Sequence, residues 1–86
     1  MKPNKVFSLL GLATRAGRTA SGEFMTEKSV KNKTAALVIV GTDASANTKK
    51  NFRDMCSFYH VPYYEYGTKE ELGHAMGKEM RASLAV

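Results

Sequence analysis

Between Ala35 and Val40 six apolar residues run without alternation and then stop at Gly41-Thr42-Asp43. An unbroken apolar run closed by turn residues reads as a strand covered on both faces, the interior strand of an α/β sheet. A helix start follows at once, so the carboxyl end of that strand carries a loop and a helix N-terminus. Open α/β sheets place their ligand sites at such ends. The position of a site is therefore constrained before its chemistry is.

The rest of the chain alternates around that strand. Val6, Leu9, Leu10, Ala13 and Ala16 recur at helical steps, predicting a helix over 5–16 closed by Gly17 as a left-handed cap. Arg18 to Ser21 reads as a short edge strand, and Gly22 opens a helix over about 23–32 with Ser21 as the expected N-cap. After the strand 36–41, a helix begins near Ala46, capped by Asp43 or Ser45. Its residues Phe52, Met55, Cys56 and Tyr59 fall on one inward face. His60-Val61-Pro62 ends it, Tyr63 to Tyr66 reads as a strand, and Thr68 with Glu71 forms a capping box for a helix ending around Gly77. Arg81 to Val86 reads as the last strand. This alternation predicts a three-layer α-β-α sandwich.

Eighty-six residues bound a single domain, 1–86, without internal repeat or low-complexity segment. Thirteen Lys and Arg against eight acidic residues give a formal charge of +5, which favours a polyanionic partner. One cysteine excludes an intramolecular disulfide framework, and no apolar run approaches the roughly 20 residues of a membrane span. The expected setting is the cytoplasm, with no membrane partner and a monomeric state.

Catalytic constellations are absent from the sequence. Gly11, Gly17 and Gly22 match no phosphate-binding loop and follow no strand. Cys56 sits on an apolar helix face, which predicts a packed thiol. His60 is expected as a helix cap and His74 as an exposed residue. Two histidines and one cysteine without ligand spacing give no metal site. Asp43 stands where a catalytic carboxylate could, but capping a helix accounts for it. No enzyme activity, metal or cofactor is expected. Binding features are richer: Gly22 heads a helix whose first N–H groups form an anion or base-edge receptor. Arg15 and Arg18 precede that helix, and Lys28, Lys31 and Lys33 lie along or after it. The segment Gly77-Lys78-Glu79-Met80-Arg81 is a second candidate, while Lys49, Lys50 and Arg53 form a third basic patch assigned to solubility.

These pieces resemble a known family. ALVIVGTDAS, FRDMCSFYHVPYYEY and KEELGHAMGKE look like the kink-turn RNA-binding ribosomal-protein family, of L7Ae and L30e type. LLGLATRAGRTASGE and DASANTKK point to its bacterial YlxQ-like branch, and the likeness runs from about Phe7 to Val86. The resemblance implies a sandwich around a four-stranded mixed sheet, no catalysis, and binding of a sharply bent RNA internal loop in ribosomes or other ribonucleoprotein particles. It also implies RNA contacts from a Gly-x-Asn-Glu-x-x-Lys segment and from the loop before the last strand. The first maps onto Gly22 to Lys28, with Phe24 and Met25 standing where the family carries the Asn and Glu that read guanine edges. Glu23 is a carboxylate one position early. The second maps onto Gly77, Lys78, Glu79, Met80 and Arg81. Relatives continue past the last strand into another helix, so one face of the sheet is expected to be less covered.

The sequence reading is thus an RNA-binding protein gripping a kink-turn or related structured RNA through Arg18, Gly22 and its N–H, Glu23, Phe24, Met25, Lys28, Lys31 and the 77–81 loop. Two alternatives remain open. One is a protein-interaction adaptor using the Phe24/Met25 surface; the other is the recognition module of an RNA-modifying enzyme.

Overall fold

The computed structural model describes residues 5–86. Eight elements follow in order: α1 (Lys5–Arg15), β1 (Ala20–Ser21), α2 (Glu23–Lys31), β2 (Val38–Val40), α3 (Ala46–Tyr59), β3 (Tyr63–Glu65), α4 (Lys69–Ala75) and β4 (Ser83–Ala85). Every element expected from the sequence is present, and most are shorter by one to three residues at an end. The sheet order is β1-β4-β2-β3, with β2 and β3 parallel and β4 antiparallel to both β1 and β2. This is the mixed four-stranded sheet that the resemblance implied.

The second half of the unalternating run becomes β2, an interior strand whose three residues are all buried, as are the three of β4 beside it, whereas Ala36 before it is exposed. Two helical layers cover them. Val38, Val40 and Ala85 pack with Val30 of α2 and with Phe52 and Cys56 of α3. Ile39 and Leu84 point the other way, onto Leu10 of α1 and Leu72 and Met76 of α4. Register Ile39↔Leu84 keeps these two opposite each other on one face. Met55 and Tyr59 complete the inward face of α3 as expected. On α1 the inward residues are Phe7 and Leu10, while Leu9 and Leu12 are exposed.

The caps correct one expectation and decide between two others. Gly17 does close α1 in the left-handed region at φ 71°. Gly22, not Ser21, is the N-cap of α2, and it supplies no side chain to the helix. Ser45 caps α3, its hydroxyl accepting from the Thr48 N–H at 3.1 Å. Asp43 instead serves α4, its Oδ1 accepting from the Lys69 N–H at 2.8 Å. The Thr68/Glu71 capping box forms as expected, with bonds of 3.1 and 3.0 Å. His60 ends α3 in the left-handed region at φ 60°. Burial pushes the Cys56 thiol above its ordinary range. Burial first, and then the bond its hydroxyl donates to Glu65, push the Tyr63 phenol up as well.

Among the described residues two buried hydroxyls, Thr26 Oγ1 on α2 and Ser83 Oγ on β4, have no hydrogen-bond partner. An unpaired buried hydroxyl carries a desolvation cost without return, so removing it is neutral or favourable. Thr26→Val and Ser83→Ala should each leave the thermal midpoint unchanged or raise it by a few degrees. A loss above about 1 kcal/mol in a urea melt would show that these hydroxyls are bonded after all. Cys56 gives a second check. As a buried thiol of raised pKa it should react with an aromatic disulfide far more slowly in the native protein than in denaturant.

Candidate functional site

One end of the sheet gathers most of the residues singled out by the sequence. The carboxyl ends of β1 and β2 lie beside the start of β4, because β4 runs antiparallel to both. The Gly22 N–H donates to Ser83 O at 3.0 Å, the Gly41 N–H to Ala82 O at 2.9 Å, and the Arg81 N–H to Lys69 O at 3.0 Å. Three backbone bonds therefore join the head of α2, the end of β2 and the head of α4 to the 81–83 segment.

The head of α2 depends on glycine. Gly22 sits at φ 87°, ψ 159°, a region that residues with a Cβ rarely adopt. Its carbonyl accepts from the Thr26 N–H at 3.0 Å, the first bond of the helix. The Gly22 N–H is consumed by Ser83 O and is not available to a ligand, which corrects the expectation placed on it. The open donors are the next ones. The N–H groups of Glu23, Phe24 and Met25 precede the first helical bond and have no protein acceptor among the described residues.

The loop from Gly77 to Arg81 is built against α4. A Cβ on Gly73 would collide with the Glu79 carbonyl and lie 3.0 Å from Met80 Cα, so the loop rests directly on the helix backbone there. The Lys78 N–H donates to Gly73 O at 2.8 Å. Arg81 then ties the loop to β1: its Nε donates to Ser21 Oγ at 3.3 Å, and one terminal nitrogen donates to Met80 O at 2.9 Å and to Glu79 O at 3.4 Å. Half of this guanidinium holds the loop, and the other terminal nitrogen has no protein acceptor among the described residues. An open hollow of about 470 Å³ lies outside the loop, lined by Glu70, His74, Lys78, Glu79 and Met80. His74 is exposed, as expected.

The bonds of Gly22 and Arg81 bring the head of α2, with Gly22, Glu23, Phe24 and Met25, to Arg81 and through it to the Glu79 and Met80 backbone, with Lys28 one helical turn along α2, while Gly77 and Lys78 lie on the α4 side of the loop. The structure sets Arg18 and Lys31 apart. Arg18 precedes β1 at the opposite end of the sheet, in a hollow with Ser29, Thr34 and Val86. Lys31 is the last residue of α2, about 13 Å from Gly22 along the axis, with its ammonium 3.8 Å from Glu27. The third basic patch is partly structural: Lys49 Nζ donates to Thr42 O at 2.6 Å and lies 3.8 Å from Glu65. Lys69, missed by the sequence reading, stands at the rim; a Cβ on Gly41 would lie 3.2 Å from its Cγ. No spacing could have found it, because Lys69 is brought to β2 by the long-range cap from Asp43.

A family model described as the ribosomal protein L7Ae/L30e/S12e/Gadd45 family matches residues 4–86. The chain belongs to this family. Among curated relatives, the RNA-binding protein YlxQ of Bacillus subtilis is 45% identical over 80 residues, covering 93% of this chain and 80% of the relative. The large ribosomal subunit protein eL30 of Tetrahymena thermophila is 30% identical over 81 residues, covering 93% of this chain and 78% of the relative. A solved protein of unknown function from Bacillus halodurans superposes with TM-score 0.94 at 40% identity, covering 98% of this chain and 85% of that one. A 15.5 kDa RNA-binding protein of Giardia lamblia shares the fold, with TM-score 0.86 at 23% identity over 94% of this chain and 69% of its own. Among the described residues no helix is long and apolar enough to cross a membrane, and no cluster of His, Cys, Asp and Glu is arranged to hold a metal.

Gly73 offers a direct test of how the rim is assembled. Gly73→Ala should cost about 3 kcal/mol in a urea melt, the upper end of overpacking, because the obstacle is backbone and not a movable side chain. Gly77→Ala, with nothing within 4 Å of the new methyl, should carry only the strain of its positive φ.

Proposed function

We propose that this protein binds a sharply bent, kink-turn-like RNA at the rim formed by the head of α2 and the 77–81 loop, as a component of the ribosome or another ribonucleoprotein particle. The observation that carries the reading is the pairing of three open backbone N–H donors at Glu23–Met25 with a half-free Arg81 guanidinium across one sheet end. Helix N-termini and guanidinium groups both receive phosphate oxygens. Family membership supports the choice of RNA over other polyanions, as do the RNA-binding and ribosomal names of the relatives in B. subtilis and T. thermophila.

The mechanism is recognition of shape. Lys28, exposed on α2 and without an ion pair among the described residues, takes backbone phosphate. The open N–H groups and Arg81 fix the register of the bend, and the loop packed on Gly73 gives that register a rigid backing. Lys69 and Lys78 extend the positive side of the rim. A straight duplex cannot bring two strands to both the helix head and the loop, so it receives only the general attraction of the +5 charge.

Titration of a kink-turn RNA and an unbent duplex of equal length tests this. The bent RNA should bind more tightly, with a log–log salt slope of about −2 to −4.5 if about three to five phosphates are neutralised. Lys28→Ala should weaken binding without unfolding the domain and make the slope shallower by about one. Equal affinity for both RNAs, or an unchanged slope in the variant, counts against the rim.

A further inference from the structure

Helix α2 exposes apolar side chains at the place where a water-facing helix would carry charge. Phe24 is 72% exposed and Met25 46%, while Met80, in the loop tied to β1 by Arg81, is 57% exposed. Thr26 and Val30 are the buried residues of α2 and define its inward face. Phe24 and Lys28, four residues apart, share the outward face on a helix of 3.6 residues per turn. The outward stripe ends at Lys31, whose charge is already met by Glu27. Glu23 lies about 100° round the helix from Phe24, away from that stripe.

An exposed ring with an unpaired ammonium one turn along matches a nucleotide: the base lies flat on the ring and the adjoining phosphate meets the cation. Met25 and Met80 add polarizable, adaptable surface beside it. The side chain of Phe24 has neither donor nor acceptor, so it cannot tell one base edge from another. It can tell a base whose face is free from one that is stacked in a helix.

We infer that Phe24 stacks on an unpaired nucleobase of the bound RNA while Lys28 holds the phosphate next to it. This chain then selects a splayed base by its face and not a guanine by its edge. The inference rests on the RNA-binding reading above and adds the chemistry of one contact to it.

The experiment uses a kink-turn RNA in which each unpaired nucleotide is replaced, in turn, by an abasic residue. The wild type, Phe24→Ala and Phe24→Trp are titrated against the set by fluorescence anisotropy at one salt concentration. Phe24→Ala should weaken binding to the intact RNA by roughly 5- to 150-fold, the range of one base–aromatic stack. Phe24→Trp should retain it. One abasic position should cost the wild type a similar factor and cost Phe24→Ala nothing, whereas changing the base there should matter only a few-fold. Circular dichroism checks that the alanine variant is folded, as the exposure of Phe24 leads one to expect. Equal binding by wild type and Phe24→Ala overturns the inference and leaves the ring to a protein contact. So do abasic losses that add fully to the Phe24→Ala loss. A wild type that ignores bent RNA overturns the RNA-binding reading as well, so the two failures are told apart.

Discussion

Two neighbouring strands with no solvent face set the terms for everything else in this molecule. Because β2 and β4 are buried on both sides, helices must cover each face, and each crossing must return over the sheet. The antiparallel placement of β4 then brings its amino end to the carboxyl ends of β1 and β2. At that junction the backbone of 81–83 accepts from Gly22 and Gly41 and donates to Lys69. The rim is rigid for this reason: its parts are tied through main-chain bonds to buried strands, and side chains are left to face outward.

What the sequence made legible was whatever depends on neighbours in the chain. The run Ala35–Val40 announced the buried strand at its Val38–Val40 end by failing to alternate, and the Thr68/Glu71 spacing announced its capping box. The inward face of α3 followed from a period of 3.6 residues. What stayed hidden depends on partners far along the chain. Asp43 seemed to belong to the helix that follows it, and in fact caps one 26 positions away. Gly22 read as an open donor because nothing local showed that Ser83 would take its N–H. Gly73 carried no sign that the Glu79 carbonyl would rest where a Cβ would stand.

Charge followed the same division. A net charge of +5 describes the chain but not the rim. Lys31 and Lys49 are engaged by Glu27 and Glu65, and Arg18 lies at the far end of the sheet. The cations left at the rim are Lys28, Lys69, Lys78 and Arg81, accompanied by Glu23 and Glu79. Composition therefore pointed to a class of partner without showing where in the fold its cations would lie. The count of cations around α2 treated a helix as a point, whereas its two ends lie at opposite ends of the sheet.

The pair Phe24 and Met25 gives the rim its individual character. Where the family resemblance sets an amide and a carboxylate, this chain sets a ring and a thioether, and the change removes hydrogen-bonding groups from a surface that keeps its backbone donors. Backbone N–H groups do not depend on side-chain identity, so shape recognition survives such a substitution while edge reading does not. An aromatic ring held in water at the head of a helix gains nothing for the fold, since Thr26 and Val30 already supply the inward contacts. Its free energy is available only on binding, when the water over the ring is displaced. Exposure that does nothing for stability, placed beside open donors and an unpaired lysine, is what a surface adapted to a splayed nucleotide requires.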